Sequence, residues 1–268
     1  CALHLKERYP KARILVLERG FLPQGASTKN AGFACFGSLS EIIDDCNSHS
    51  EQEVFDLVKK RIDGLSLLRK TLSEAAIDYQ QFGGYELFTK EDEQGFNHCL
   101  EHRERINKLL FPLFNDDVFH LKKNPFHFKN VQATFSFTPY EAQIDTGKMM
   151  EALLQLALQK GIKILNTISV ETFQETDNAV HIKTNQFEFK THKLLIATNG
   201  FASQLIDQPV KPARAQVLIT KPIQNLHIKG TFHLDKGFYY FRNINDRVLF
   251  GGGRNLDFKS EETTEMAQ

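Results

Sequence analysis

Residues 13–18 read Arg-Ile-Leu-Val-Leu-Glu, a short and nearly continuous apolar run that ends on a carboxylate. This composition predicts a parallel strand covered on both faces by other elements. An amphipathic helix over residues 1–9 precedes the run and is stopped by Pro10. A loop rich in Gly, Ser and Asn follows over residues 20–38. Helix, buried strand and small-residue loop in this order predict part of a nucleotide-binding α/β domain.

The rest of the chain alternates between strong helices and strand-rich stretches. Apolar periodicity predicts helices over residues 39–47, 51–75, 91–114 and 146–160, and a second buried strand over residues 193–197. Short strands are predicted over residues 85–88, 162–165, 168–174, 179–184, 187–190, 214–220, 231–234, 237–242 and 247–252. The expected fold class is α/β, with a Rossmann-like nucleotide-binding domain interleaved with an α+β substrate domain built on a mostly antiparallel sheet. Residues 79–139 and 206–250 are expected to pair into that sheet.

Composition excludes several classes of protein. The 33 basic and 33 acidic residues cancel, so no field of one sign recruits nucleic acid or anionic lipid. No apolar run approaches the roughly 20 residues of a membrane-spanning helix. Cysteines 1, 35, 46 and 99 match neither a zinc-ribbon nor a CxxC spacing, which predicts free thiols in a reducing, cytoplasmic compartment. Because the sequence begins with Cys rather than Met, we expect a truncated frame.

Three common motifs of hydrolytic, phosphate-binding and metal-dependent enzymes were sought in the sequence. The sequence contains no HExxH, no GxSxG and no P-loop. His98 and His102 have the four-residue spacing of metal ligands on a helix, but with charged neighbours and no third ligand evident they indicate a solvated face. We therefore predict no metal site.

Three stretches in fixed order resemble one family. They are Ala2–Gly32, with its Ile14-Leu15-Val16-Leu17-Glu18 core and its Gly-Ala-Ser-Thr-Lys-Asn-Ala-Gly loop, Glu141–Lys148, and the Pro-Ala-Arg-Ala-Gln run at 212–216. Together they are similar to FAD-dependent oxidoreductases of the D-amino-acid oxidase type, which include glycine and sarcosine oxidases. The resemblance covers essentially the whole chain.

The resemblance implies how the domains alternate along the chain. It predicts FAD-binding segments at 1–78 and 140–205, substrate-domain segments at 79–139 and 206–250, and a return toward the FAD-binding domain over 251–268. The GxGxxG turn of the family, which brings backbone amides to the pyrophosphate, is not in the sequence. We therefore expect a chain cut at both ends, which as a fragment would hold FAD weakly and could be inactive.

The resemblance also implies the cofactor site. Glu18, next to Arg19, ends the strand and is expected to accept hydrogen bonds from the adenosine ribose. Small residues of the following loop are expected to present backbone amides to the pyrophosphate and flavin. The further expected FAD contacts are Val170, whose backbone would meet adenine, and the residues at the end of the 193–197 strand and of the Pro-x-Arg-x-Gln strand. The full expected cofactor set is Glu18, Arg19, Ser27, Thr28, Asn30, Ala31, Gly32, Val170, Ala197, Thr198, Gly200 and Arg214.

Substrate-facing residues are expected on the last strand pair. A guanidinium suits a substrate carboxylate, and a tyrosine hydroxyl can orient an amine. Tyr240, Arg242 and Arg254 are the candidates, with Gly251-Gly252-Gly253 leaving room for a ligand. Cys35, close to the flavin loop, is interpreted as a packing residue.

The expected activity is oxidation of an amino acid or a secondary amine, with hydride transfer to flavin N5 and no elaborate acid–base machinery. FAD is the expected cofactor and a small amine or amino acid the expected partner. Two alternatives stay open at this point. One is the tRNA-modifying branch of the family, which the balanced charge disfavours. The other is a non-catalytic nucleotide-binding fragment.

Overall fold

The computed structural model describes residues 1–23 and 25–265 of the chain. Its helices are α1 (Ala2–Arg8), α2 (Ala26–Lys29), α3 (Leu39–Ser48), α4 (Glu51–Leu72), α5 (Glu93–Phe114) and α6 (Thr146–Gln159). Its strands are β1 (Leu15–Leu17), β2 (Phe33–Ala34), β3 (Gly84–Leu87), β4 (His120–Lys123), β5 (Thr134–Thr138), β6 (Ala142–Gln143), β7 (Lys163–Leu165), β8 (Val170–Glu175), β9 (Val180–Thr184), β10 (Glu188–Thr191), β11 (Gln216–Ile219), β12 (Thr231–Leu234), β13 (Tyr239–Ile244) and β14 (Arg247–Gly252). The four long predicted helices are confirmed to within a few residues at each end.

The chain divides into two compact units. The first unit contains Cys1–Asn30, Thr146–Arg214 and the residues from Phe258 onward, and the second contains Ala31–Asp145 and Ala215–Asp257. Both are built from separated segments of sequence, as an interleaved pair of domains requires. Residues 31–78 lie in the second unit, whereas the predicted FAD-binding segment extended to residue 78.

In the first unit, β1 pairs in parallel with β7, and β8, β9 and β10 form an antiparallel meander. The parallel pairing of the 13–18 strand is confirmed, but the expected burial on both faces is wrong, since Leu15 is 38% exposed. Within the described residues β1 has one hydrogen-bonded neighbour, so its side chains are covered only in part.

The expected strand over residues 193–197 is also wrong. These residues carry no regular structure, and Leu195 is 60% exposed. A 3-10 turn over Asn199–Gln204 follows them. Apolar side chains alone do not make a strand, because the backbone also needs a neighbouring strand for its hydrogen bonds. No sheet of the described residues includes this run.

The second unit is organised by a seven-stranded sheet in the order β11-β14-β13-β12-β3-β5-β4. Its one parallel pair joins β12 to β3, with Thr231 opposite Gly84, and the other neighbours are antiparallel. This pair confirms that residues 79–139 and 206–250 share one sheet. The antiparallel pairing of all the other neighbours confirms that the sheet is mostly antiparallel.

Two hydrophobic clusters stabilise the second unit. One lies among α3, α4 and α5 and includes the fully buried Leu39, Val58 and Ile106. The other is aromatic, with Phe232 and Phe241 stacked at 4.5 Å between ring centroids. Burial of aromatic rings of this size supplies much of the driving force for folding such a unit. Among the described residues, no helix combines the length and the apolar character needed to cross a bilayer.

Candidate functional site

In the first unit, Glu18 lies directly after β1 in a defined geometry. Its Oε1 accepts a hydrogen bond from the backbone N–H of Gly20 at 2.7 Å, and its backbone carbonyl accepts one from Ile168 at 3.0 Å. The carboxylate is therefore fixed at the carboxyl end of a parallel strand, where open α/β sheets bind their ligands. Gly25 has no heavy atom within 4 Å of the position a Cβ would take, so the loop before α2 leaves space for a ligand near its backbone.

Two contacts connect the turn after Glu18 to the segments that carry other predicted cofactor residues. Thr167 donates from its backbone N–H to the carbonyl of Gly20 at 3.0 Å, which brings the start of β8 and Val170 alongside. The guanidinium of Arg19 lies 3.9 Å from the ring centroid of Phe201, the residue after Gly200. Ala197 and Thr198 are exposed at the end of the irregular run.

Thr28 and Asn30 use their side chains to fold the loop. Thr28 Oγ1 donates to the carbonyl of Pro23 at 3.0 Å, and Asn30 Nδ2 donates to the carbonyls of Ala26 and Ser27, each at 3.0 Å. Thr146, at the start of α6, donates from its Oγ1 to the carbonyl of Thr28 at 3.0 Å. The loop is therefore shaped by its own side chains, which favours its backbone as the surface that meets a ligand.

Arg214 lies outside the strand predicted for it, because β11 begins at Gln216. Its Nε donates to Glu261 Oε2 at 2.7 Å and its Nη2 to Oε1 at 3.3 Å. The expectation that Arg214 and Gln216 alternate on one strand is therefore wrong, because a bidentate ion pair holds Arg214 before the strand.

In the second unit, Arg242 is directed at backbone carbonyls. It is buried on β13, and its guanidinium donates to the carbonyls of Ala31, Ile144 (3.1 Å) and Asn243 (3.2 Å). Burial lowers its pKa from the ordinary range of an arginine. Gly32 has a positive φ of +72°, and a Cβ there would lie 2.7 Å from Arg242 Nη2. The pair Gly32 and Arg242 thus fixes the path of the chain leading into β2.

Tyr240 and Arg254 lie on the last strand pair and the turn after it. The half-buried Tyr240 contacts Phe33 edge-to-face at 5.5 Å between ring centroids. Its ring crosses over Gly251 on β14, where a Cβ would overlap it. Burial raises the pKa of the Tyr240 hydroxyl, so it stays protonated as a hydrogen-bond donor. Arg254 begins a 3-10 turn directly after Gly253, whose φ of +86° suits glycine.

A buried polar network in the same unit was not predicted. Glu141, 1% exposed, accepts hydrogen bonds at Oε2 from Thr231 Oγ1 at 2.7 Å and from His233 Nε2 at 3.0 Å. Burial alone would lower the pKa of His233, but attraction and hydrogen bonding to Glu141 outweigh it and raise that pKa to about 9. His233 is therefore a buried imidazolium at neutral pH. It contacts Phe33 at 5.3 Å between ring centroids.

A second buried carboxylate lies next to this pair. Glu86 on β3 accepts hydrogen bonds from the hydroxyls of Ser38 (3.0 Å) and Ser40, and from the backbone N–H of Ser40 at 3.1 Å. Desolvation raises the pKa of Glu86, although the serine donors oppose that shift. In sequence, Glu86 and His233 occupy alternating strand positions that are typical of solvent-facing side chains, so pattern alone could not find them. Glu141 was found only as part of a family-like stretch.

Comparison with known proteins identifies the class to which this fold and site belong. A family model described as FAD dependent oxidoreductase matches residues 1–268, the whole chain, so the chain belongs to that family. This confirms the resemblance and the fold class, and it establishes FAD as the cofactor of the family.

Solved structures with the same fold include glycine oxidases and a proline dehydrogenase. The glycine oxidase of Geobacillus kaustophilus has a TM-score of 0.67 at 16% identity, over 94% of this chain and 68% of that one. The glycine oxidase of Bacillus cereus has a TM-score of 0.68 at 15% identity, over 100% of this chain and 71% of that one. L-proline dehydrogenase of P. horikoshii has a TM-score of 0.62 at 21% identity, over 94% of this chain and 65% of that one.

A curated relative matches a shorter stretch. The bifunctional protein ThiO/ThiG of Synechocystis sp. is 26% identical over 90 residues, which is 33% of this chain and 14% of that protein. The chain thus spans a small part of this relative and about two thirds of the solved structures.

Proposed function

We propose that the protein oxidises an amino acid or a secondary amine with FAD as the electron acceptor. The observation that carries the proposal is the family match over all 268 residues. Further support comes from the solved structures of similar fold, whose names describe oxidases and dehydrogenases of amino acids. When bound, FAD would supply N5 as the acceptor of the hydride that leaves the carbon beside the substrate nitrogen, and water would hydrolyse the imine product.

In this proposal the first unit binds the cofactor. Glu18, fixed by the N–H of Gly20, accepts hydrogen bonds from the ribose hydroxyls. The backbone of the loop that Thr28 and Asn30 shape faces the pyrophosphate. We further propose a cytoplasmic location, which the four free cysteines support.

The second unit supplies the substrate side. Tyr240 donates its hydroxyl proton to orient the substrate, and Arg254 pairs with a substrate carboxylate. Phe33 and the ring of Tyr240 keep water from the reacting carbon. We assign Arg242 a positioning role, because three backbone carbonyls accept hydrogen bonds from its guanidinium.

The test is anaerobic reduction of the flavin in the full-length protein. We expect a yellow protein whose flavin absorbance is bleached by at least one member of a panel of glycine, sarcosine, D-alanine, L-proline and putrescine. Readmission of oxygen then separates an oxidase, which recovers its colour at once, from a dehydrogenase. A protein that binds no flavin, or whose flavin none of these compounds reduces while dithionite does, overturns the proposal.

A further inference from the structure

The exposed face of α5 carries three side chains with metal-binding groups. His98, Glu101 and His102 follow one another at i, i+3 and i+4, which places them on one face of a helix. One ligand atom from each lies within 4.8 Å of the others, and the two imidazole centroids are 4.3 Å apart. From sequence we interpreted His98 and His102 as part of a solvated face with Glu101 as a charged neighbour, whereas the structure brings the carboxylate of Glu101 close to both imidazoles.

A backbone hydrogen bond prepares His102 for binding. Its Nδ1 lies 3.0 Å from the carbonyl oxygen of His98, so Nδ1 carries the proton. A neutral imidazole protonated at Nδ1 presents its lone pair at Nε2. Metal-bound histidines commonly make such a bond through the nitrogen that does not bind the metal, because it fixes both tautomer and ring orientation.

Arg105, the cation one helical turn after Glu101, pairs with a different carboxylate. Arg105 lies at i+4 from Glu101, where a helical ion pair would form. Its Nη1 is instead 3.8 Å from Glu51 Oε1 at the start of α4. The helix itself is anchored in the core of its unit by Cys99, Ile106 and Leu110, which are buried. The three ligands therefore project from a fixed support.

We propose that His98, Glu101 and His102 form a binding site for one divalent transition-metal ion of the zinc class. Two imidazoles and one carboxylate suit Zn²⁺, which binds histidine nitrogen at about 2.0–2.1 Å and usually takes four ligands. Three protein ligands leave at least one position for water. The site is independent of the flavin chemistry proposed above, since all its ligands lie on the surface of one helix.

The experiment is calorimetric titration of the full-length protein with ZnCl₂, together with thermal melts with and without the metal. We expect one equivalent of Zn²⁺ to bind and to raise Tm, because a ligand that binds the folded state stabilises it. His98→Gln and His102→Gln are each expected to weaken binding by at least about tenfold, the scale of losing part of a coordination shell. Glu101→Gln, which keeps the size of the side chain, is expected to weaken it several-fold.

His49→Gln is the matched control. Its Nδ1 lies 3.3 Å from the carbonyl oxygen of Asp45, the same i, i−4 arrangement as in His102, but among the described residues His49 belongs to no cluster of three metal-binding groups. This variant is expected to bind as the wild type does, and far-UV circular dichroism checks that every variant is folded. Cys1→Ser tests whether the exposed thiol of Cys1 binds the metal instead. Loss of Zn²⁺ binding in Cys1→Ser, or equal weakening in His49→Gln, overturns the proposal. The absence of saturable Zn²⁺ binding to the wild type also overturns it.

Discussion

At the scale of single residues, Arg242 shows how orientation changes a role. Its place on the last strand pair suggested a ligand-facing cation, but its guanidinium instead reaches the carbonyls of Ala31, Ile144 and Asn243. A planar guanidinium can meet several acceptors at once, whereas an ammonium offers a single point of charge. The residue type could be read from the sequence, and the direction of the side chain could not.

Arg242→Lys is therefore expected to destabilise the protein. The change keeps the charge but removes donors from buried carbonyls, which costs about 1–3 kcal/mol in the free energy of unfolding. Arg247→Lys is the control, since the exposed Arg247 donates to one carbonyl, that of Thr220, at 3.0 Å. The control should stay within about 0.5 kcal/mol of the wild type in urea denaturation. Equal losses in the free energy of unfolding for the two variants would contradict the positioning role of Arg242.

Glu18 permits a direct test of the cofactor site. In the full-length protein, Glu18→Ala should weaken FAD binding by about 1–3 kcal/mol, the range for losing charge-assisted hydrogen bonds. Equilibrium titration of apoprotein, followed by flavin fluorescence, measures the change. Glu7→Ala, on the exposed surface of α1 in the same unit, should leave the affinity unchanged. An unaltered affinity in the Glu18 variant would show that this carboxylate lies outside the site.

At the scale of elements, patterns with strong local causes were predictable. The long helices carry apolar periodicity and N-terminal signals, such as the Ser50 and Glu53 capping box of α4. The run over residues 193–197 had the composition of a strand but forms none. The difference is physical, because a helix satisfies its own backbone hydrogen bonds while a strand depends on a partner elsewhere in the chain.

The contact between β3 and the Glu141 network depends on a missing side chain. A Cβ at Gly84 would overlap the carboxylate of Glu141. Gly84→Ala should therefore destabilise the protein by about 1–3 kcal/mol, as overpacking of a buried site does. Gly64→Ala is the control, because that glycine lies within α4 with nothing within 4 Å of a new Cβ. In an exposed helix this change should stabilise by up to about 1 kcal/mol, and thermal melts showing the same sign for both would contradict the packing argument.

The buried ion pair of His233, on β12, with Glu141 predicts how the stability of the protein depends on pH. Because the pKa of His233 is raised in the folded state from 6.5 to about 9, its contribution is complete below pH 6.5 and is lost as the pH rises through 9. Glu86, whose pKa is also raised, acts in the same direction from pH 4.5 upward. The free energy of unfolding of the wild type should thus fall between about pH 6 and 9.5.

His233→Gln should flatten that fall, since it removes the titrating group. His227→Gln, an exposed histidine on the segment leading into β12, should keep the wild-type profile. Urea denaturation at a series of pH values measures both. A His233→Gln profile that still falls as steeply as the wild type would assign the pH dependence to other groups.

At the scale of the whole molecule, family membership identifies the class of enzyme but not its substrate. The two compact units are each assembled from distant segments, so the residues of one site are scattered through the sequence. Glu18, Val170 and Gly200 could be assigned to one cofactor site only through the resemblance to a family. No local sequence pattern indicates which substrate is bound. The charge of the substrate must therefore be decided by experiment.

The last prediction concerns that charge. Arg254, in the 3-10 turn that follows the last strand pair and Gly253, is the residue that we expect to meet a substrate carboxylate. The full-length protein should then prefer glycine, sarcosine or D-alanine over putrescine, because a diamine has no carboxylate to pair with a guanidinium. Arg254→Lys should raise KM more than it lowers kcat, since it keeps the charge but loses the fork that binds ground state and transition state alike. Arg247→Lys serves again as the exposed control. Preference for putrescine, with kinetics unchanged by Arg254→Lys, would mean that this arginine is no carboxylate clamp and that the substrate is a simple amine.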